Sequence, residues 1–450
     1  MIDRRTLLAA LAIAPAAAGA AGKGSGDHRR LAPTPPMGWN SWDSFGPTIT
    51  EAQAIANADV MARVLLPHGY DVFTVDIQWY EPGADSFDYR KGAPLVMDAW
   101  GRLLPAPNRF PSAAAGRGFR PLADRIHALG LKFGIHLMRG IPRLAVERDL
   151  PVLGTKVRAA DIADRGSICP WNTDMYGVDM RKPGAQAYYD GVFRQIAGWG
   201  VDFVKVDDLS RPYAEHRPEI EAIRRAIDRS GRPMVLSMSP GETPVAEWAH
   251  ARAHANMWRI SDDFWDSWPA VREQFTRLRN WNPYRAAGGW PDADMLPFGL
   301  LALGKRHSNF TPDEARTVMT LWSIARSPLI MGGDLRALDG DTLALLTNDA
   351  VLAVNQHSSG NRPLFEQGGL IGWCADVPGT RDRYLALFNT RDRAGVQPGV
   401  PVAGALAALG LAGAARARDL WSGADLGPVA HDWAPIVPWH GAGLYRLDTD

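Results

Sequence analysis

The sequence predicts a (β/α)8 TIM barrel followed by a C-terminal antiparallel β-sandwich, on three observations. Short β-prone runs alternate with segments of helical length through most of the chain. Such alternation implies a parallel sheet, and eight units within about 300 residues imply a closed barrel. Beyond about residue 345 the texture changes to short strands separated by Gly, Pro and Asp turns, as in a sandwich of about 100 residues.

The eight runs are "MGWNSW" (37–42), "DVFTVDIQW" (71–79), "LKFGIHLM" (131–138), "VDFVKVDD" (201–208), "PMVLSMS" (233–239), "ANMWRISDD" (255–263), "GGWPDADM" (288–295) and "SPLIMGG" (327–333). Segments such as 184–200 and 311–326 carry apolar residues at spacings of three and four, which predicts amphipathic helices. "GLIGWCADV", "RYLALFNT" and "AGLYRLD" are the sandwich strands. The barrel is expected over 30–343 and the sandwich over 344–450.

Residues 1–26 begin "MIDRRTLLAALAIAPAAAGAAG". A basic start, an apolar run and small residues describe an export signal, and the Arg4–Arg5 pair suggests the twin-arginine route. The expected location is periplasmic or extracellular, with no membrane attachment once the signal is removed. A formal net charge of zero offers no electrostatic case for nucleic acid. Cys169 and Cys374 are the only cysteines, which excludes a disulfide framework and suggests two free thiols. No CxxC, HExxH or histidine cluster occurs, so neither a metal nor a cofactor is expected. Seventeen tryptophans are many for a neutral protein; most are expected in the core and some as stacking surfaces for sugar rings.

In a barrel of this kind, chemistry sits at the C-terminal ends of the strands. Trp42, Asp76, His136, Asp207, Ser239, Asp263 and Asp294 all fall there. The run "DFVKVDDLS" poses the sharpest question, because a buried strand carries a cation and ends in two acids. Side chains alternate along a strand, so Phe203, Lys205 and Asp207 share one face and Val204, Val206 and Asp208 the other. With the first set facing the axis, Lys205 favours the charged form of Asp207, which suits a nucleophile. A plain structural ion pair is the competing reading. Asp208 is expected to begin the loop and to cap the segment after it.

"WRISDDFWDSW" (258–268) supplies a second acid. Asp263 shares parity with Arg259 and Ser261. Phe264, Trp265 and Trp268 are expected to desolvate it and raise its pKa. Asp262 and Asp266 read as a cap and a solvated charge run. A charged carboxylate beside a neutral one is the arrangement retaining glycosidases use. His136 reads either as a satisfied core histidine or as a ligand contact, and Arg139 in "MRGIPR" is expected to reach the pocket.

With "PPMGWNSWDSFG", "KVD", "WRISDDFWDSW" and "GGWPDADML" in register, residues 35 to about 340 resemble glycoside hydrolase family 27, the α-galactosidase and α-N-acetylgalactosaminidase family. The resemblance implies Asp207 as nucleophile and Asp263 as acid/base, with Arg259 as its arginine. It implies Trp42 as the wall of the sugar site. Asp76 and Lys205 would hold sugar hydroxyls, and Asp294 would lie beside the sugar. It further implies retention of anomeric configuration, no metal, and an oligosaccharide or polysaccharide substrate. Several positions depart from the family pattern. Ile77 stands where a second acid often reads a hydroxyl, His136 where a tyrosine is usual, and Ser239 where α-galactosidases place a glutamate. An exo-acting α-galactosidase is the first expectation. Alternatives are a β-L-arabinopyranosidase, an α-N-acetylgalactosaminidase, an isomaltodextranase-like activity, a carbohydrate-binding protein without turnover, and a metal-dependent isomerase using Asp76, Asp292 and Asp294.

Overall fold

A computed structural model describes residues 27–411 and 415–448. The leader read over residues 1–26 lies outside the described residues. Eight parallel strands form one curled sheet: β1 (Met37–Asn40), β2 (Val72–Val75), β3 (Lys132–Met138), β4 (Phe203–Asp207), β5 (Val235–Met238), β6 (Met257–Arg259), β7 (Trp290–Asp292) and β8 (Leu329–Met331). From β1 to β7 each pairs with the next in chain order, and β8 pairs with β1 through Met37 and Leu329. A parallel bridge from Leu296 to Met331 joins the β7 side to β8, so the sheet meets itself. Each strand lies inside one of the eight β-prone runs.

The helices between them follow the sequence signals. α1 (Glu51–Val64) starts in a Thr50/Gln53 capping box, and α7 (Pro312–Ala325) in a Thr311/Glu314 box with Pro312 in the first turn. Such caps contribute about 1 kcal/mol each by satisfying orphan N–H groups. α2 (Arg120–Ala128), α3 (Ala185–Trp199), α4 (Tyr213–Arg229), α5 (Trp248–His254) and α6 (Trp268–Trp281) lie in chain order between these two. Among the described residues, no helix is long and apolar enough to cross a membrane.

Val72, Phe203, Val235, Met257 and Trp290, one from each of five strands, pack together with Ala32. Phe203 therefore faces inward as its alternation predicts, and two and four residues later Lys205 and Asp207 face the same way.

Helices α8 (Gly340–Leu346) and α9 (Asp349–His357) precede the second sheet. That sheet is six-stranded and antiparallel, in spatial order β9 (Ser359–Gln367), β10 (Leu370–Asp376), β11 (Arg383–Asn389), β14 (Ala442–Asp448), β12 (Ala415–Asp419) and β13 (Asp425–Val429). It packs on α6 and α7. Phe275 meets Phe388 edge-on at 5.0 Å, Trp268 stacks on His440 at 3.9 Å, and Trp421 Nε1 donates to Thr320 Oγ1 at 2.9 Å. These contacts hold the sheet on the helix layer.

Candidate active site

The C-terminal strand ends bring the sequence-predicted residues together as two linked charge clusters. In the first, Lys205 Nζ lies 3.0 Å from Asp76 Oδ2 and 3.9 Å from Asp207 Oδ1. Asn40 Nδ2 also donates to Asp76 Oδ2, at 2.7 Å, and the Ile77 amide donates to Asp76 Oδ1 at 2.8 Å. His136 Nε2 sits 3.0 Å from Asp207 Oδ2, while Trp79 Nε1 donates to the His136 carbonyl. His136 lies within β3, on the strand next to the one that carries Asp207, and its ring is fully buried. It is thus a partner of Asp207 as well as a core residue.

Burial alone would push the Asp207 carboxyl up. The Lys205 ammonium, then the His136 ring and a Ser239 hydrogen bond, outweigh it and hold Asp207 far below the usual carboxylate range. Asp76 is lowered by the same balance, burial opposed by Lys205 and His136. Asp207 is therefore a persistent anion at working pH. Lys205→Met removes the largest opposing charge, so the acid limb of kcat/KM should move to higher pH by about one to two pH units. A pH–rate profile checks this; an unmoved acid limb would refute the assignment.

The second cluster is built on Arg259. Its NH2 lies 2.7 Å from Asp294 Oδ2 and 3.2 Å from Asp263 Oδ1, and NH1 reaches Ser239 Oγ at 3.5 Å. The Phe264 amide also donates to Asp294 Oδ2, at 2.7 Å. Burial raises Asp294 to about 7 although Arg259 opposes it. One guanidinium thus serves two acids.

Some expectations are corrected here. Asp263 is not desolvated by aromatics; its side chain is 50% exposed. Strand β6 ends at Arg259, so Asp263 sits in the following turn, held by the i,i+4 pair rather than by strand parity. Phe264 turns away to Phe310 and Trp322, and Trp265 lies against Arg306. Asp262 is exposed and paired with Arg211. Asp266, read as solvated, is instead buried, taking Arg306 NH1 and NH2 at 2.5 and 2.8 Å and the Asn309 amide at 2.5 Å.

Arg139 does not reach the site, and Asp208 caps no helix. Asp208 adopts φ 65°, which turns it behind the strand, where Arg139 NH2 holds its Oδ2 at 2.7 Å. The same guanidinium takes Glu219 Oε1 at 2.5 Å, and Tyr189 donates its hydroxyl to Glu219. The Arg139 amide donates to the Asp207 carbonyl at 2.9 Å, so this buried network braces the backbone at the end of β4.

Two residues near the site escaped the sequence reading. Asp43, next to Trp42, is buried, with Oδ2 lacking a protein partner. Burial, then Asp294 and Asp263, push its carboxyl well up against the weaker opposition of Lys205. A Cβ at Gly332 would lie 1.9 Å from Asp43 Oδ2, so only glycine leaves room for it. Its place in "GWNSWD" was the available signal. Tyr89 comes from the long segment after β2 and stacks on Trp42 at 5.9 Å and 17°. Burial, then Asp207, Asp76 and Asp263, raise its phenol. Aperiodic loop sequence carries no signal for such a placement.

Asp76 is engaged by Lys205 and Asn40, and Asp294 by Arg259. Among the described residues no group of three or more His, Cys, Asp or Glu is arranged to hold a metal. Cys169 and Cys374 are both buried and free.

Residues 142–357 match the family described as "Alpha galactosidase A", and 367–447 match the "Alpha galactosidase C-terminal beta sandwich domain". A solved family 27 β-L-arabinopyranosidase from Geobacillus stearothermophilus is 50% identical, with TM-score 0.89, covering 94% of this chain and 98% of that one. This chain belongs to glycoside hydrolase family 27. A candidate α-N-acetylgalactosaminidase from Bacillus halodurans is 44% identical to this family 27 chain, with TM-score 0.81, covering 92% and 97%. An α-galactosidase from Cyamopsis tetragonoloba is 27% identical over 93% of this family 27 enzyme and 87% of the relative. The chain is accordingly a glycoside hydrolase, and its substrates are glycosides.

Proposed function

We propose that this family 27 enzyme is a retaining exo-glycosidase that removes terminal β-L-arabinopyranosyl groups. The observation that carries the glycone is Ile77. It follows Asp76 directly and is 1% exposed. By the family resemblance, an acid at this place reads a sugar hydroxyl, and isoleucine can accept no hydrogen bond. β-L-Arabinopyranose has the ring configuration of α-D-galactose without the hydroxymethyl group. A site with Ile77 would leave that extra hydroxyl unpaired, which costs about 1–3 kcal/mol. Asp76 and Lys205 remain to hold the ring hydroxyls shared by both sugars. The likeness to the Geobacillus arabinopyranosidase supports the same reading.

In the mechanism, Asp207 attacks the anomeric carbon while Asp263 protonates the departing oxygen. Water then enters, Asp263 takes its proton, and the glycosyl–Asp207 ester is cleaved. Two displacements retain configuration. The negative field of Asp207, Asp76 and their neighbours favours the cationic character developing on the sugar.

The second reading is an α-galactosidase, favoured by the retained Asp76, Lys205 and Asp207 set. Nitrophenyl glycosides separate the two. The expected kcat/KM on the β-L-arabinopyranoside exceeds that on the α-D-galactoside by about 10–100-fold. Ile77→Asp should lower or reverse that ratio. A wild-type preference for the galactoside would overturn the arabinopyranoside assignment in favour of the second reading.

A further inference from the structure

An aromatic ladder leads outward from the catalytic acids. Trp42 stacks on Tyr89, and Tyr89 meets Trp171 at 5.8 Å and 41°. The inner rings are largely shielded, whereas Trp171 is 37% exposed, and Ile168, the last residue of the strand leading to that turn, is 51% exposed. Exposed large apolar side chains at the mouth of a site mark a contact surface. Rings of this kind stack on the C–H faces of sugars.

The turn that presents Trp171 is held from within. Cys169, at the start of that turn, is buried. Asn172 Oδ1 accepts the Asp174 amide at 2.8 Å, and Asp174 Oδ2 accepts Gln78 Nε2 and the Tyr80 hydroxyl, both at 2.9 Å. The Gly92 amide donates to Thr173 Oγ1 at 3.1 Å, tying the Tyr89 loop to the Trp171 loop. This bracing is costly for a turn whose only product is a solvent-facing indole. Asn172 Nδ2, buried beside it, has no protein acceptor.

We propose that Trp171, backed by Tyr89, is the platform on which the first sugar ring of the leaving group stacks. The inference rests on the glycosidase reading above and adds the other half of the substrate: a leaving group that is itself a pyranose with an apolar face, as in an oligosaccharide. Stacking there would orient the glycosidic oxygen towards the site before bond cleavage, so it acts in the glycosylation step only.

The test compares two substrates sharing one glycone: an oligosaccharide ending in β-L-arabinopyranose, and β-L-arabinopyranosyl fluoride, whose leaving group is too small to reach Trp171. Trp171→Ala should lose about tenfold in kcat/KM on the oligosaccharide and nothing on the fluoride. Trp171→Tyr should recover most of the loss. Equal losses on both substrates, or none on either, would overturn the platform while leaving the glycosidase reading intact. A wild-type enzyme that cleaves neither these substrates nor any α-galactoside would instead remove the glycosidase reading itself.

Discussion

Asp207→Gly is expected to lower kcat by about 10⁴-fold or more, because no other group can form the covalent intermediate. The residual site keeps Lys205 and His136, the two cationic or proton-bearing partners of the lost carboxylate. A small anion such as azide fits that vacated charge position. Azide should therefore restore turnover and release a glycosyl azide of configuration opposite to the substrate's, since one displacement replaces two. Product configuration by NMR reads the result. A variant with near wild-type kcat, or an azide product that keeps the substrate's configuration, would remove Asp207 from the nucleophile's role.

For Asp263→Ala, the loss should depend on the leaving group. With a sugar leaving group, kcat/KM should fall by about 10³-fold, the typical worth of a positioned general acid. With a fluoride leaving group, which needs no proton, kcat/KM should stay within about a few-fold of wild type. Azide should again speed the second step, since it needs no base. Asp294 is the competing carboxyl, because it shares Arg259 and burial raises it to about 7. Geometry favours Asp263. Asp294 is buried and already engaged by both Arg259 and the Phe264 amide, whereas Asp263 is half-exposed and open to water. Asp294→Asn showing the leaving-group-dependent loss, with Asp263→Ala indifferent to leaving group, would reverse the assignment.

The charge count explains why these acids can differ. Asp43, Asp76, Asp207, Asp263 and Asp294 gather around Lys205 and Arg259, so the cations cannot neutralise them all. Those nearest Lys205, Asp76 and Asp207, are held ionised. Asp43, with no cation in contact, and Asp294, deeply buried, are pushed towards the neutral form. Burial and pairing thus set different proton affinities in one site.

The alternation of β-prone and helical runs determined the barrel by itself. Period-two and period-3.6 patterns are local, and eight of them in a row admit few closed arrangements. Strand parity likewise placed Phe203, Lys205 and Asp207 on the axis. Parity stopped helping where strands stopped. Asp263 lies beyond the end of β6, and its exposure is decided by where Phe264 and Trp265 turn. Asp208, Arg139 and Asp266 were misread for a related reason: each is a charge whose partner is distant in sequence, Arg139 for Asp208 and Arg306 for Asp266. Only folding reveals such pairs, since an exposed charge and a buried, neutralised one look alike in a sequence. Tyr89 and Trp171 belong to loops without periodicity, and their ladder exists because two separate loops meet above the same strand ends. Asp207 was therefore written in its strand, while the placing of Asp263, and the surroundings that tune both acids, were set by long-range packing.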